Sequence, residues 1–472
     1  MVFSSLFFVY VFLPLNLFFY HFSKDIEKKN IVMLTFSLVF YSWNGPKYLF
    51  LLLFMTLVSY IGAILIENSY HKKKRYLVLT IAISLLILGY FKYLGFFAGI
   101  AQTFVKAVPI PNIILPIGIS FYTFQLISYV VDVYRGEVEA QKSYLLLLLY
   151  VSMFHQCIAG PIVRYSDIRH DILYRKKDYD EIREGVRRFC YGLAKKAILA
   201  NGIAVVADSL LLTNDVTALK AVPVAGLWLG ALAFTFQIYF DFSAYSDMAI
   251  GMGLMTGFHY KENFNLPYTS ASVTEFWRRW HISLSSFFRD YVYIPLGGNR
   301  SGNVLINLFV VWFLTGMWHG ASFNYIFWGL YYFIFIVIER LFLNKILKNT
   351  PRFFGVMYTF LVVVIGWVLF KFEDLNALSI AFKGLFGLNG NELFSAQTGI
   401  LIKNNIFLII ICIFAASSLP SKIRAFFDSS RNFVLKDFLI PLYSNLFPWV
   451  LLLVSSLALI GNSYNPFLYF QF

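Results

Sequence analysis

The sequence predicts an all-α, polytopic integral membrane protein, and three observations carry that prediction. Hydrophobic residues make up 59% of the 472 residues and charged residues only 14%, with a mean hydropathy of +0.68. A water-soluble chain of this size needs far more polar surface. The apolar residues fall in runs long enough to cross a bilayer. The 39 Lys and Arg, against 25 Asp and Glu, cluster in short stretches between those runs. That is the positive-inside pattern of membrane proteins and not the patch of a nucleic-acid binder. Cys157, Cys190 and Cys412 show no CxxC or Cys/His spacing, so neither a metal site nor a disulfide framework is expected.

Taken in order, the chain predicts about 11–12 membrane spans plus re-entrant or interfacial helices. Phe3 to Tyr20 lacks the basic leader and cleavage site of a signal peptide and reads as a first span, with Lys24, Lys28 and Lys29 holding its end on the inner side. Ile31 to Trp43 and Tyr48 to Ile66 form a pair turning at Asn44-Gly-Pro. His71 to Arg75 is a second inner anchor, and Tyr76 to Gly95 returns to a loop containing Pro109 and Pro111. Leu115 to Val133 and Tyr144 to Ala159 are both apolar, yet one crossing fits there, so one of them is expected to be re-entrant. Broken helices at membrane depth need protein or a wet cavity around them, which hints at a site. Asp167 to Arg188 mixes acids and bases and reads as a solvated helix or loop. Ala200 to Leu212, Val222 to Met248, Leu305 to Trp318, Ser322 to Ile338, Phe353 to Phe370, Ile400 to Ala416 and Phe447 to Ile460 complete the count. Lys422, Arg424, Arg431 and Lys436 are placed inside.

Polar residues within apolar runs are expensive and mark candidate sites. Phe236 to Asp247 carries Gln237, Asp241, Ser243, Tyr245, Ser246 and Asp247, which fits either an interhelical hydrogen-bond network or the lining of a substrate cavity. Ser272-Val-Thr-Glu275 is a capping box. It predicts a helix with Phe276, Trp280, Leu284 and Phe287 on one face and Arg278, Arg279 and Arg289 elsewhere, an interfacial amphipathic element. Its arginines suit headgroups or the phosphates of a bound donor. His281 has no part in anchoring. His319 ends a run of 14 residues, roughly 21 Å as a helix against a hydrocarbon core of roughly 30 Å, so it is expected inside the membrane thickness. A structural histidine is one reading. A general base that deprotonates a hydroxyl as it attacks an acyl donor is the other.

These residues carry a resemblance. The stretches Leu115 to Gln125, Tyr129 to Gly136, Ile158 to Tyr165, Tyr239 to Gly251, Glu275 to Arg300 and Gly316-Met-Trp-His-Gly320, with the ending Asn465 to Phe470, resemble the membrane-bound O-acyltransferase family over essentially the full chain. They match the branch of the alginate O-acetylation protein and of relatives that acetylate cellulose or peptidoglycan. The resemblance implies that His319 is the catalytic histidine and His281 the second signature residue. Trp318, Asp241, Ser243, Tyr245, Arg278, Arg279 and Arg289 would then line the donor or substrate channel, with no metal. It implies one transmembrane domain over residues 1–472, with N-terminal helices to 100, a core from 115 to 345 and C-terminal helices from 346, folded around a central funnel. It further implies a bacterial inner-membrane location, acetyl-CoA as donor with no permanently bound cofactor, a polysaccharide acceptor, and a separate periplasmic esterase-fold (SGNH-like) partner. His155 stands where the family pattern has Pro, and Ala244 where Gly is usual. Two other readings stay open: a D-alanyl transferase for teichoic acids, and a polysaccharide export scaffold without chemistry.

Overall fold

The computed structural model describes residues 1–43, 45–157, 160–429 and 440–461. Asn44, Ile158, Ala159, Arg431, Lys436 and the Asn465 to Phe470 ending lie outside the described residues. Among the described residues the regular elements are all helices. Eight are long and apolar enough to cross a membrane, and Phe8–Phe22, Val304–His319 and Leu375–Leu385 are shorter apolar helices. The expected crossings near Ile31 and Leu115 are helices of 17 residues each, Ile26–Ser42 and Ile119–Arg135. The chain divides into two compact units.

The first unit comprises Met1–Phe189, Tyr245–Glu262 and Arg289–Tyr291. Lys47–Asn68 packs against both Lys73–Phe104 and Ile119–Arg135. The Lys73–Phe104 helix runs well past the predicted Tyr76 to Gly95. Of the two ambiguous apolar stretches, the second is the broken one: Tyr144–Ser152 is helical for only nine residues, and the chain then turns through His155 and Gln156, both buried. The turn is braced from within the protein, with Gln156 Nε2 donating to the Tyr150 carbonyl (2.7 Å) and the Tyr150 hydroxyl to that of Val163 (2.9 Å). Irregular backbone at such depth requires this kind of internal pairing.

The Asp167 to Arg188 stretch is not simply solvated. Ile168 and Ile172 are fully buried, and Tyr179 begins a continuous helical run to Leu210 that contains a π-type bulge at Lys195–Ala200. Its acids and bases survive exposure to apolar neighbours because they pair. Arg188 meets Asp247 at 3.0 Å, and Asp167 meets Lys261 at 2.5 Å.

The second unit comprises Cys190–Ala244, Asn263–Phe288 and Val292–Phe472. Its core is aromatic, with Trp280, Trp328, Trp367 and Tyr332 almost wholly buried. Val304–His319 and Phe323–Ile338 cross closely through glycines: a Cβ on Gly316 would collide with the Tyr325 carbonyl, and one on Gly329 with that of Trp312. Without a hydrophobic drive between helices in lipid, small residues of this kind are what permit tight packing.

Candidate active site

His319 is the last residue of Val304–His319 and is 3% exposed. Its ring sits edge-on to Trp318 and Trp328, each at 4.8 Å between centroids, and to Phe370 at 5.2 Å. Asn303 caps the start of this helix, accepting from the Leu305 and Ile306 amides. The glycine crossing fixes its other end. The histidine is thus presented from a rigid helix terminus into an aromatic enclosure. Such an enclosure excludes water and strengthens any charge interaction made inside it.

His281 approaches the same enclosure from a different element. Its ring packs against Trp318 at 5.8 Å and against Phe242 at 4.6 Å, so Trp318 touches both histidines. The sequence predicts one amphipathic helix here, and the structure corrects that. Val273–Arg279 and Ile282–Phe288 are two short helices separated at His281, which adopts the left-handed backbone at φ +44°. A side chain in that region is strained and persists only where its surroundings hold it. Nor is the aromatic face a lipid anchor: Phe276, Trp277, Trp280, Leu284 and Phe287 are all buried in protein.

Asn263 holds the break. Its backbone carbonyl accepts from Ile282 N at 3.0 Å, and its side-chain oxygen accepts from Ser283 N (3.2 Å) and Ser283 Oγ (2.9 Å). Because a backbone N–H can only donate, that atom is the oxygen, and the third neighbour, His281 Nδ1 at 3.2 Å, must donate as well. The lone pair of His281 therefore resides on Nε2. Burial pushes the His281 pKa down to about 3, so the ring is neutral. Upstream, the start of the segment is pinned by Glu339, whose carboxylate accepts from the Val273 and Thr274 amides and the Thr274 hydroxyl. Ser272 caps the helix as predicted, its Oγ accepting from Glu275 N at 3.0 Å, while the Glu275 carboxylate accepts from the Ala271 amide at 2.8 Å.

The remaining expected site residues are placed differently from one another. Asp241 is 2% exposed and forms a 2.7 Å ion pair with Lys196. Ser243 is buried in the same helix. Arg278 is exposed, and Arg279 pairs with Glu275 at 2.8 Å, a carboxylate that also takes Arg352 at 3.0 Å. Tyr245 and Arg289 belong to the first unit. There Tyr245 stacks on Phe3 at 4.2 Å, Arg289 pairs with Asp290 at 2.6 Å, and His155 Nδ1 lies 3.2 Å from the Tyr260 hydroxyl. Lys196, Asn263 and Glu339 escape sequence reasoning. Lys196 reads as one more inner-side cation, Glu339 as a residue just beyond a span, and Asn263 sits in a polar loop without periodicity.

A neutral imidazole with its tautomer fixed, a second imidazole in the same dry aromatic enclosure, and a tryptophan between them form an arrangement suited to moving a proton between a hydroxyl and a leaving group. Comparison with known proteins agrees with that chemistry. Residues 137–381 match the model of the membrane-bound O-acyltransferase family. Over the full length of both chains the sequence is 40% identical to the probable alginate O-acetylase AlgI of Pseudomonas putida. It is 32% identical to the peptidoglycan O-acetyltransferase of Helicobacter pylori, over 100% of this chain and 98% of the relative. It is 27% identical to the teichoic acid D-alanyltransferase of Bacillus subtilis, over 70% of this chain and 92% of the relative. The chain is a multi-pass membrane O-acyltransferase and belongs to the membrane-bound O-acyltransferase family.

Proposed function

We propose that this protein transfers acetyl groups from a donor on the inner side of the bacterial cytoplasmic membrane toward a hydroxyl of an exported or envelope polysaccharide, with the whole chain acting as one transmembrane domain. The observation that carries this reading is the pairing of His319 with His281 through Trp318 in an enclosure of buried rings, joined to full-length similarity to named O-acetylating relatives. His319 acts as general base on the acceptor hydroxyl. As the acceptor oxygen attacks the thioester carbonyl, its proton passes to the imidazole, and the imidazolium returns it to the departing thiolate. His281 Nε2 accepts a hydrogen bond from the acceptor or orients it. Acetyl-CoA is the donor this chemistry suits, and a periplasmic esterase-fold partner completes delivery to the polymer. Arg278 is exposed while Arg279 and Arg289 hold carboxylates of this chain, which supports Arg278 as the arginine that meets a donor phosphate or, alternatively, a lipid headgroup.

A second reading has its own support: similarity to a teichoic acid D-alanyltransferase makes D-alanine an alternative acyl group. The full-length matches favour acetate. Membership of an acyltransferase family sets aside a non-catalytic export scaffold. The test is mild-alkali release of esters from envelope and secreted polymers of the parent and a deletion strain, with acetate and D-alanine quantified separately. Loss of acetate alone supports the proposal. Loss of D-alanine alone replaces it with the second reading.

A further inference from the structure

A cluster of cations in the first unit contains none of the residues described for the site above. The end of Leu13–Phe22, the first turn of Ile26–Ser42, the Arg175 to Asp178 connection and the end of Val224–Thr256 meet around a shallow recess that opens to the surface. Tyr20, His21, Lys29, Lys176, Lys177 and Asp178 are among its lining residues. Arg175 borders it. The Arg175 Nε donates to the Tyr20 hydroxyl at 2.8 Å, and both its guanidinium and the Lys29 ammonium lie 5.5 Å from the Tyr20 ring centre.

Arg175 is only 8% exposed. Its Nη1 donates to the backbone carbonyls of Asp171 (3.1 Å) and Ile172 (3.2 Å), while its buried Nη2 has no hydrogen-bond partner among the described residues. Among the described residues no carboxylate pairs with Arg175, and the nearby acids have other partners. Asp171 and Glu181 hold His259, Asp25 holds Lys28 at 2.9 Å, and Asp178 accepts from the Asp180 and Glu181 amides. Burial opposes the Arg175 charge more strongly than Tyr20 and Asp171 favour it, and pulls the guanidinium below its ordinary range. A buried cation beside three lysines, with no carboxylate in ion-pair contact among the described residues, is costly unless an anion joins it. The mixture is apt for one: a guanidinium fork grips phosphate oxygens directionally, and ammonium groups add point charges around it.

We propose that this recess is a phosphate-binding pocket that takes either the phosphates of a coenzyme-A-type donor or the headgroup of an anionic phospholipid. Only the donor identity rests on the function proposed above. The phosphate chemistry stands without it.

The test uses the full chain in phosphatidylcholine nanodiscs, titrated with coenzyme A and with pantetheine, which carries no phosphate. Native mass spectrometry of the same chain in mixed lipid scores retained phosphatidylglycerol. The variant is Lys176→Ala with Lys177→Ala, both exposed, and the control is Lys72→Ala with Lys74→Ala, an exposed pair in a different basic loop. For a donor site, coenzyme A binding weakens about tenfold or more in the variant and less than about twofold in the control, with pantetheine unchanged. For a headgroup site, phosphatidylglycerol retention falls by a similar factor while coenzyme A is unaffected. If both ligands bind the variant as they bind the wild type, or the control loses as much, the proposal is overturned. Binding is read without any ester, so a negative ester assay with phosphate binding intact sinks the acyl-transfer reading alone.

Discussion

At the scale of single residues, the arrangement turns on how one imidazole is aimed. His281 is held in a disfavoured backbone conformation by an asparagine 18 positions away that collects three donors on one oxygen. Removing that oxygen frees the ring to flip and to take the other tautomer. Asn263→Ala is therefore expected to lower acyl transfer by about tenfold or more, through kcat more than KM, because catalytic geometry is sensitive to small misplacements. Assays on purified protein, with membrane abundance matched, check this. Undiminished kcat would show that Asn263 only braces the backbone. His319 stood out in the sequence because it closes a short apolar run, whereas His281 and Trp318 were singled out through the family resemblance. Asn263 was not, since its role depends on a contact across a loop that no local pattern encodes.

At the scale of elements, two features make separate predictions. The Gly316 and Gly329 crossing leaves no room for a side chain against the facing carbonyls, and overpacking a tight core commonly costs about 1–3 kcal/mol. Gly316→Val is expected to lower the melting temperature and the folded yield, whereas Gly99→Ala, at an open position, should not. Thermal unfolding in detergent compares the two. The second feature is His259, which bridges Asp171 and Glu181 at 3.1 and 3.0 Å. Partial burial opposes its charge, yet the Glu181 and Asp171 bonds outweigh that and raise its pKa above 6.5. A raised folded pKa means the clamp is fully present below the unfolded value and is lost as pH rises through the folded one. Hydrogen exchange across 165–182, corrected for intrinsic rates, should be slower at pH 6 than at pH 8, and His259→Gln should erase that difference. Sequence reasoning found most long helices, because a lipid-facing run needs only its own composition. It expected a break in one of the stretches Leu115 to Val133 and Tyr144 to Ala159 without telling which, and it missed the break at His281 and the depth of Ile168 and Ile172, because those depend on which partners the chain folds against.

At the scale of the whole molecule, the apolar composition is spent on two surfaces. Helices such as Ala396–Ala416, only 11% buried within the protein, present Phe407, Ile410 and Ile413 outward, as lipid contact requires. Val224–Thr256, 72% buried, instead carries polar groups inward, including the Asp241 that pairs with Lys196. That pair was hidden from sequence reasoning, since a lysine in a basic run looks like an anchor. Breaking a buried pair by removing one partner strands the other charge and commonly costs about 3–5 kcal/mol. Asp241→Ala alone is thus expected to deplete the folded protein, and Asp241→Leu combined with Lys196→Met to restore much of it. In-gel fluorescence of a tagged chain measures the difference.

The central claim is that an imidazole at the end of Val304–His319 performs acyl transfer. Its most direct test is alkali-released acetate from cells expressing His319→Ala at the same membrane level as the wild type. Loss of one catalytic base typically lowers rate by about 10² to 10⁴, so released acetate should fall to the level of the deletion strain while the folded protein persists. Wild-type acetate at matched abundance would contradict the account, because it would leave the enclosure with a purely structural histidine.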